Sequence, residues 1–292
     1  VGNIDQIMVS HYSQGSVAAI GNGNQIMNII ILVLSSMTVA TTVLISRYFG
    51  AGDPEKAKSV SNASIYSLSF FSIVVTLLIY GFQRPIFQWL QVPNDILDET
   101  CSYTVIVSTC ILIQAIYMVF ASILRSHKLM KYVTFVAIIM NTLNILGNAI
   151  LINGLFGFPR LGIIGAAIST NISKFIGLVI IILVFLKKTN MGLGFLNLKY
   201  FSFKMAKKVL LIAVPSGGEA FSYQMSQLII LRFVNTFGTM VIASRSYCMI
   251  LANIAYVYSM AISQATQILV GYLYGKGDYE SIKKRVWNSV FI

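Results

Sequence analysis

Charged residues are scarce in this sequence. Of its 292 residues, 10% are Asp, Glu, Lys or Arg, whereas 57% are hydrophobic. A soluble globular domain carries about 25% charged and roughly 45–50% apolar residues, so the composition excludes a soluble domain and a disordered chain. At roughly 20 apolar residues per bilayer crossing, the apolar content is enough for about seven or eight membrane helices. The composition predicts an all-α integral membrane protein.

Cysteine and histidine are also rare. Cys101, Cys110 and Cys248 all lie in apolar stretches, which excludes a disulfide framework or a zinc site. His11 and His127 have no metal-ligand companions at suitable spacing. The glycines at 50 and 52 follow an apolar helix without the Lys-Ser/Thr pair of a P-loop, which indicates a helix end and a turn. We therefore expect no enzymatic activity, no metal site and no cofactor.

Apolar stretches between polar residues and Gly or Pro predict the membrane helices. Eight are expected, at about residues 1–13, 16–46, 59–81, 101–124, 132–153, 162–186, 209–236 and 239–274, and a ninth begins near 286. The connection at 82–100, with Trp89 and several acids, is predicted to lie at an interface. The sequence starts as the second half of a helix and stops at the opening of another, so we expect a piece of a longer protein.

Lys and Arg residues are distributed unevenly among the connections. Sixteen follow the second, fourth, sixth and eighth helices, Arg125 among them, whereas the alternate connections hold two, Arg84 and Arg160. The positive-inside rule predicts that the basic connections are cytoplasmic in a multi-pass protein of the cell membrane. This rule explains the net charge of +12, so membrane lipids rather than nucleic acid are the expected surroundings.

The sequence contains an internal repeat. Residues 40–55 resemble residues 265–280 at a displacement of 225, and both copies contain the sequence Gly-x-Gly-Asp at the end of a predicted helix. Six helices separate the copies, and an even number restores the same orientation in the membrane. Parallel repeats of this kind are typical of transporters. We interpret residues 1–186 as an N-terminal lobe, 187–208 as a linker and 209–292 as the start of a C-terminal lobe.

Several motifs in this order resemble the multidrug and toxic compound extrusion (MATE) family, within the larger group of multidrug, oligosaccharidyl-lipid and polysaccharide flippases. They are Asp5-Gln6-Ile7-Met8-Val9, the segment 50–57, Leu124-Arg125-Ser126, the segment 144–148, the segment 162–167 and the seventh predicted helix from Pro215 to Gly238. The resemblance covers the whole chain. It implies two six-helix lobes around a central cavity in the full protein, of which the first is nearly complete here.

Polar residues of the first, fifth and sixth predicted helices are candidates for ion coupling. Asp5 is an intramembrane carboxylate, which is costly and therefore a functional candidate. Asn144 and Asn148 share one helix face. The resemblance implies that this face lies beside Asp5, with Thr170 nearby, although Asn148 stands where the family often has Asp. Asp5 bonded only to its neighbours, and the Asn pair acting only as interhelical glue, remain alternatives.

Two further ionisable residues lie in predicted helices of the second half. Glu219 follows Pro215 and two glycines, which could unwind the helix and expose carbonyl groups to a cavity. The resemblance implies an ion or substrate role for Glu219, or for Tyr223 one turn further along. The alternative is a structural ion pair between Glu219 and Lys174. Lys174, in the middle of the sixth predicted helix, must face a cavity or an acid, and we expect it to tune local charge.

The expected function of the full protein is secondary active antiport by a monomer. It would export small organic cations or drugs in exchange for H⁺ or Na⁺, which are transported coupling ions rather than cofactors. The alternative within transport is a flippase for lipid-linked oligosaccharide or polysaccharide, which the basic residues Lys174, Arg232 and Arg245 would suit. A membrane-embedded enzyme and a non-transporting receptor are further alternatives, and the repeat and the intramembrane acids disfavour the receptor.

Overall fold

The computed structural model describes residues 8–9, 14–157, 159–189, 191–235 and 239–291. Within these residues the secondary structure is helical and contains no β-strand. The α-helices are α1 (Gln14–Gly50), α2 (Pro54–Trp89), α3 (Asn94–Ser108), α4 (Ile111–Ser126), α5 (Met130–Asn153), α6 (Gly162–Lys188), α7 (Phe203–Asn235), α8 (Thr239–Lys276) and α9 (Tyr279–Val290). Three short 3-10 turns, Leu155–Gly157, Gly194–Leu196 and Leu198–Tyr200, lie in the connections that flank α6.

Membrane-spanning helices form most of this bundle. Four described helices, α1, α2, α5 and α6, are each long and apolar enough to cross a membrane. The pair α3 and α4 would form a fifth crossing as one broken span, bent by 42°. The predicted all-α membrane fold is confirmed. Helix α1 occupies the centre and packs against α2, α3, α4, α7 and α8, while α5 packs mainly on α6.

The connection predicted at 82–100 is more helical than expected. Helix α2 continues through Pro85 to Trp89, and α3 already begins at Asn94, so the turn between them is short. The predicted fourth helix is divided at Thr109 and Cys110. The Asn171 side chain of α6 donates to the Ile106 carbonyl over 2.6 Å and to Thr109 Oγ1 over 3.0 Å, so α6 satisfies a carbonyl at this break.

Four connections, which contain basic residues or have them in the adjoining helix ends, lie on one side of the bundle, and we call this side the basic face: residues 51–53, 127–129, 191–202 and 277–278. Contacts at the adjoining helix ends establish this arrangement. Lys128 Nζ lies 4.4 Å from the ring centroid of Tyr272, and Lys208 Nζ donates to the Tyr48 hydroxyl over 3.0 Å. The basic connections therefore share a side, as the charge distribution predicts; that this side is cytoplasmic stays a prediction.

The two copies of the repeat begin their following helices with the same cap. Asp53 accepts a hydrogen bond from the Lys56 backbone N–H over 3.0 Å, and Asp278 accepts one from the Ser281 N–H over 3.1 Å. In both cases hydrogen bonding to the carboxylate lowers the pKa of the Asp side chain. The residues are 225 apart, so the repeat in the sequence corresponds to a repeat in local structure.

The same repeat brings α1 and α8 into close contact at the basic face. A Cβ added to Gly50 would lie 1.9 Å from the Tyr272 carbonyl oxygen, and a Cβ added to Gly275 would lie 1.9 Å from the Arg47 carbonyl oxygen. Gly50 corresponds to Gly275 in the repeat, and Arg47 to Tyr272, so the two contacts are equivalent. Only glycine permits this approach, and the two helix ends therefore cross around a local two-fold relationship.

Glycine also governs the packing of α5 on α6, and this gives a testable prediction. A Cβ at Gly165 would lie 2.6 Å from the Leu151 carbonyl oxygen, whereas a Cβ at Gly81 of α2 would meet no atom within 4 Å. Overpacking of this kind costs roughly 1–3 kcal/mol. We expect Gly165→Val to lower the unfolding temperature of the purified full-length protein well below that of Gly81→Val, as measured by light scattering or size exclusion after heating. Equal unfolding temperatures would contradict the close packing.

Candidate functional site: a buried polar cluster between α5 and α6

Amide and hydroxyl groups lie between α5 and α6 in the interior of the bundle. Asn144 and Asn148 are fully buried, and Thr170 is 3% exposed. Asn144 Nδ2 donates to Thr170 Oγ1 over 3.0 Å, and the Ser169 hydroxyl donates to the Asn144 carbonyl over 3.0 Å. The structure thus joins Asn144 directly to Thr170, with Asn148 one turn further along the same face of α5.

The close approach of the two helices at this point depends on Gly147. A Cβ at that position would lie 2.4 Å from Ser169 Oγ and 3.2 Å from Ser169 Cβ. Small residues allow membrane helices to come near enough for their polar side chains to form hydrogen bonds across the interface. The segment 144–148, which carries part of the resemblance, therefore supplies both the amides and the glycine that lets α6 reach them.

The Asn144 side chain has an acceptor that its contact with Thr170 does not use. The Asn144 side chain uses its nitrogen for Thr170, and its buried Oδ1 has no hydrogen-bond partner among the residues that the structure describes. A buried acceptor without a donor costs about 1–3 kcal/mol. The Oδ1 atom is therefore suited to accept from a protonated acid or to bind a cation with oxygen preference, such as Na⁺.

Lys174 lies one turn beyond Thr170 on the same face of α6. Its side chain is 9% exposed, so the ammonium group is inside the bundle. A positive charge near the Asn144–Thr170 pair would favour the negative form of any acid that joined the cluster. Its role in tuning charge stays a prediction.

The other predicted site residues are not part of this cluster. Asp5 lies outside the described residues. Glu219 and Tyr223 are exposed on α7, which packs on α1, α2 and α8 rather than on the α5–α6 pair. The expected unwinding after Pro215 does not occur, because α7 remains helical from Phe203 to Asn235. Among the described residues no ion pair joins Glu219 to Lys174, and the roles of both residues stay predictions.

A large apolar cleft lies between α7 and the helices α1 and α2, beside the contacts that join them. Its volume is about 850 Å³, which lies in the range of roughly 300–1,000 Å³ typical of sites for organic ligands. Five Phe residues and Tyr66 contribute aromatic walls: Phe70, Phe71, Phe201, Phe203 and Phe221. None of the described side chains that line it is charged. Phe221, which lies on α7 two residues before Tyr223, borders this cleft.

A second cavity, polar and lined by Arg125, was not predicted from the sequence. The predicted fourth helix ended at residue 124, which placed Arg125 in a cytoplasmic connection. The predicted helix end is wrong by two residues, because α4 continues to Ser126 and the Arg125 side chain lines a cavity with residues of α1 and α8. That the connection after α4 is cytoplasmic stays a prediction. The signal that could have found the cavity is the position of Arg125 in the last helical turn, where a side chain is held against neighbouring helices.

Buried amides, hydroxyls and an ammonium group inside a bundle of membrane-spanning helices define the class of this protein: a multi-pass helical membrane protein with a polar interior. The comparisons with known proteins agree. A model of the MatE family matches residues 1–150 and 215–292. The chain therefore belongs to the MatE family, and the predicted resemblance is confirmed.

Two relatives illustrate the similarity in sequence. The uncharacterized transporter YisQ of Bacillus subtilis is 34% identical over 291 residues, which are 100% of this chain and 64% of YisQ. A probable multidrug resistance protein NorM of Thermotoga maritima is 25% identical over 283 residues, covering 96% of this chain and 60% of that protein. The chain therefore spans somewhat less than two thirds of the length of these relatives.

Solved structures show the same fold. A MATE crystal structure in the bent conformation superposes with a TM-score of 0.90 at 21% identity, over 99% of this chain and 64% of that one. An outward-facing multidrug resistance MATE family transporter gives a TM-score of 0.89, over 98% and 63% respectively. The helical bundle is thus the MATE fold, while the division into lobes at residues 187–208 stays a prediction.

Proposed function

We propose that the full protein is a secondary antiporter that exports small organic cations in exchange for H⁺ or Na⁺. Membership of the MatE family and the similarity to proteins named for multidrug resistance support efflux transport. The observation that carries the coupling step is the buried Oδ1 of Asn144, which has no partner among the described residues. Because Thr170 fixes the Asn144 side chain, its Oδ1 can accept a hydrogen bond from a protonated acid or bind a sodium ion each time the coupling ion enters.

The coupling step follows from the chemistry of these side chains. Asp5, which the resemblance places beside the α5–α6 cluster, would take up a proton and donate its O–H to Asn144 Oδ1. A sodium ion could instead bind the Asp5 carboxylate together with the oxygens of Asn144, Asn148 and Thr170. Either event neutralises one negative charge in the interior, and Lys174 favours the reverse step by stabilising the carboxylate.

Ion and substrate would bias the same conformational equilibrium in opposite directions. The close crossing of Gly50 and Gly275 closes the basic face, which we propose is the cytoplasmic side. Ion binding would favour the state that releases substrate outward, and ion release would restore the state that takes substrate from inside. Exchange requires only that the two states differ in affinity for each ligand.

Proteoliposomes that contain the full-length protein test this function. Efflux of a fluorescent organic cation is followed under an imposed proton gradient and, separately, under an imposed sodium gradient. We expect either the proton or the sodium gradient to drive efflux of the dye against its own concentration gradient. An ionophore that dissipates the driving ion gradient should stop this efflux. Equal rates with and without both gradients would contradict antiport and would make a lipid-linked substrate the leading alternative.

A further inference from the structure

A second polar cavity lies at the end of the bundle next to the basic face. Its volume is about 190 Å³, and it is enclosed by side chains of α1, α4 and α8. The polar groups that matter here are Thr38, Thr42, Tyr117, Arg125, Gln264 and Gln267. No described acid lines this cavity.

Hydrogen-bond donors in this cavity lack acceptors. The Arg125 guanidinium forms no ion pair or hydrogen bond within the described residues, and the same holds for the Tyr117 hydroxyl and for the side-chain amides of Gln264 and Gln267. The threonines differ, because Thr38 Oγ1 donates to the Leu34 carbonyl over 2.6 Å and Thr42 Oγ1 to the Thr38 carbonyl over 2.9 Å. The cavity thus has one fixed positive charge and several donors, with no negative partner among the residues that the structure describes.

Removing a guanidinium from bulk water is costly unless an anion and matching acceptors replace the water. Its planar fork fits the two oxygens of a carboxylate or phosphate, and hydrogen bonds to such anions are about twice as strong as those between neutral groups. An organic cation would be repelled by the same charge. The missing partner is therefore an oxyanion.

We propose that Arg125, Tyr117, Gln264 and Gln267 form a binding site for an oxyanion, either a carboxylate or a phosphate group. The small volume admits the anionic group of a ligand rather than a whole drug-sized molecule, which needs roughly 300 Å³ or more. This inference rests on the proposed function in one respect: it adds to the exported class compounds that carry an oxyanion as well as a cationic group. Binding itself requires no transport.

Thermal stability with inorganic phosphate tests the site on the purified full-length protein in a maltoside detergent without added lipid. A ligand that binds the folded state raises the unfolding temperature in a saturable way. We expect phosphate to do so for the parent and for Arg84→Gln, whose wild-type guanidinium pairs with the exposed Asp98 instead. Arg125→Gln should lose the saturable part. Arg125→Lys, which keeps the charge but not the fork, should weaken half-saturation about tenfold. Sodium chloride and choline chloride at equal ionic strength control for salt.

A chemical measurement keeps the test decisive if Arg125→Gln fails to fold. Phenylglyoxal modifies arginine side chains, and peptide mass spectrometry reports the rate at each one. We expect phosphate to slow modification of Arg125 about fivefold or more while Arg84 in the same sample is unaffected. No modification of Arg125 without phosphate, equal protection of both arginines, or protection of Arg125 by choline would each overturn the site.

The same modification experiment, repeated in lipid, distinguishes a lipid headgroup from a soluble compound as the source of the oxyanion. Protection of Arg125 in phosphatidylglycerol nanodiscs without phosphate would assign the site to a lipid headgroup, whereas protection by phosphate in detergent alone would assign it to a soluble compound. Failure of protection in both arms would overturn the oxyanion site and leave the antiport proposal standing, because neither arm measures transport. Loss of gradient-driven efflux in the parent would instead overturn antiport and leave this site untouched.

Discussion

Gly275→Val is expected to abolish transport by the full-length protein. A Cβ at this position would lie 1.9 Å from the Arg47 carbonyl oxygen and 2.8 Å from the Ala51 backbone nitrogen. Both atoms belong to backbone and cannot move aside as a flexible side chain can. The ends of α1 and α8 would therefore be held apart, and the basic face would not close. Efflux in proteoliposomes measures the loss, with Gly81→Val, which meets open space, as the matched control.

Crosslinking distinguishes failed closure from failed folding. Ser46 Cβ lies 3.1 Å from the position of a Cβ on Gly271, close to the spacing of about 3.5–4.5 Å that a disulfide requires. In a cysteine-free background of the full-length protein, Ser46→Cys with Gly271→Cys should crosslink readily. Adding Gly275→Val should slow the crosslink severalfold while the protein remains monodisperse. Undiminished crosslinking and efflux at the parental rate would show that the crossing is not needed for closure.

Asn144→Leu is expected to remove most of the ion-driven efflux, with a reduction of about tenfold or more. The substitution removes both the donor to Thr170 and the acceptor that we assign to the coupling ion, and it leaves the Thr170 hydroxyl without this partner. Initial rates under a fixed gradient measure the effect. Asn141→Leu is the matched control, because Asn141 lies one turn earlier on α5 and donates only to the Ala137 carbonyl of its own helix.

Two intermediate variants make the Asn144 prediction specific. Asn144→Asp restores an oxygen at the Oδ1 position and adds a charge, so coupling should persist with an altered pH dependence. Asn144→Ser replaces the amide by a hydroxyl that is too short to reach Thr170, and it should behave as Asn144→Leu does. If Asn144→Leu and Asn141→Leu transported equally well, the amide would be interhelical glue and not part of the coupling site.

The repeat shows how far the sequence alone could go. Its displacement of 225 residues predicted equivalent helix ends, and the structure contains equivalent caps at Asp53 and Asp278 and equivalent contacts at Gly50 and Gly275. The two caps depend on residues three apart in the chain, so a local pattern predicts them. The glycines are visible as a repeat, whereas their contact joins α1 and α8 and depends on the fold. The partnership of Asn144 with Thr170 was implied by family resemblance, because it joins two helices and no local pattern specifies it.

Other features depended on tertiary contacts that no sequence pattern contains. The break at Thr109 and Cys110 lies within an apolar run, and it is stabilised by a side chain from α6, Asn171. The Arg125 cavity forms only where α8 meets α4, more than a hundred residues further along the chain. The positive-inside rule assigned Arg125 to a connection, but this rule describes the average charge of connections and not the direction of one side chain.

The most direct test of the account is gradient-driven efflux by the full-length protein with Asp5→Asn and Glu219→Gln, each reconstituted beside the parent at equal protein density. Coupling in the first lobe predicts that Asp5→Asn loses efflux under the gradient that drives the parent, while Glu219→Gln, altered on the exposed face of α7, retains most of it. Efflux by Asp5→Asn at the parental rate, or loss confined to Glu219→Gln, would contradict the assignment of ion coupling to the Asp5, Asn144 and Thr170 cluster.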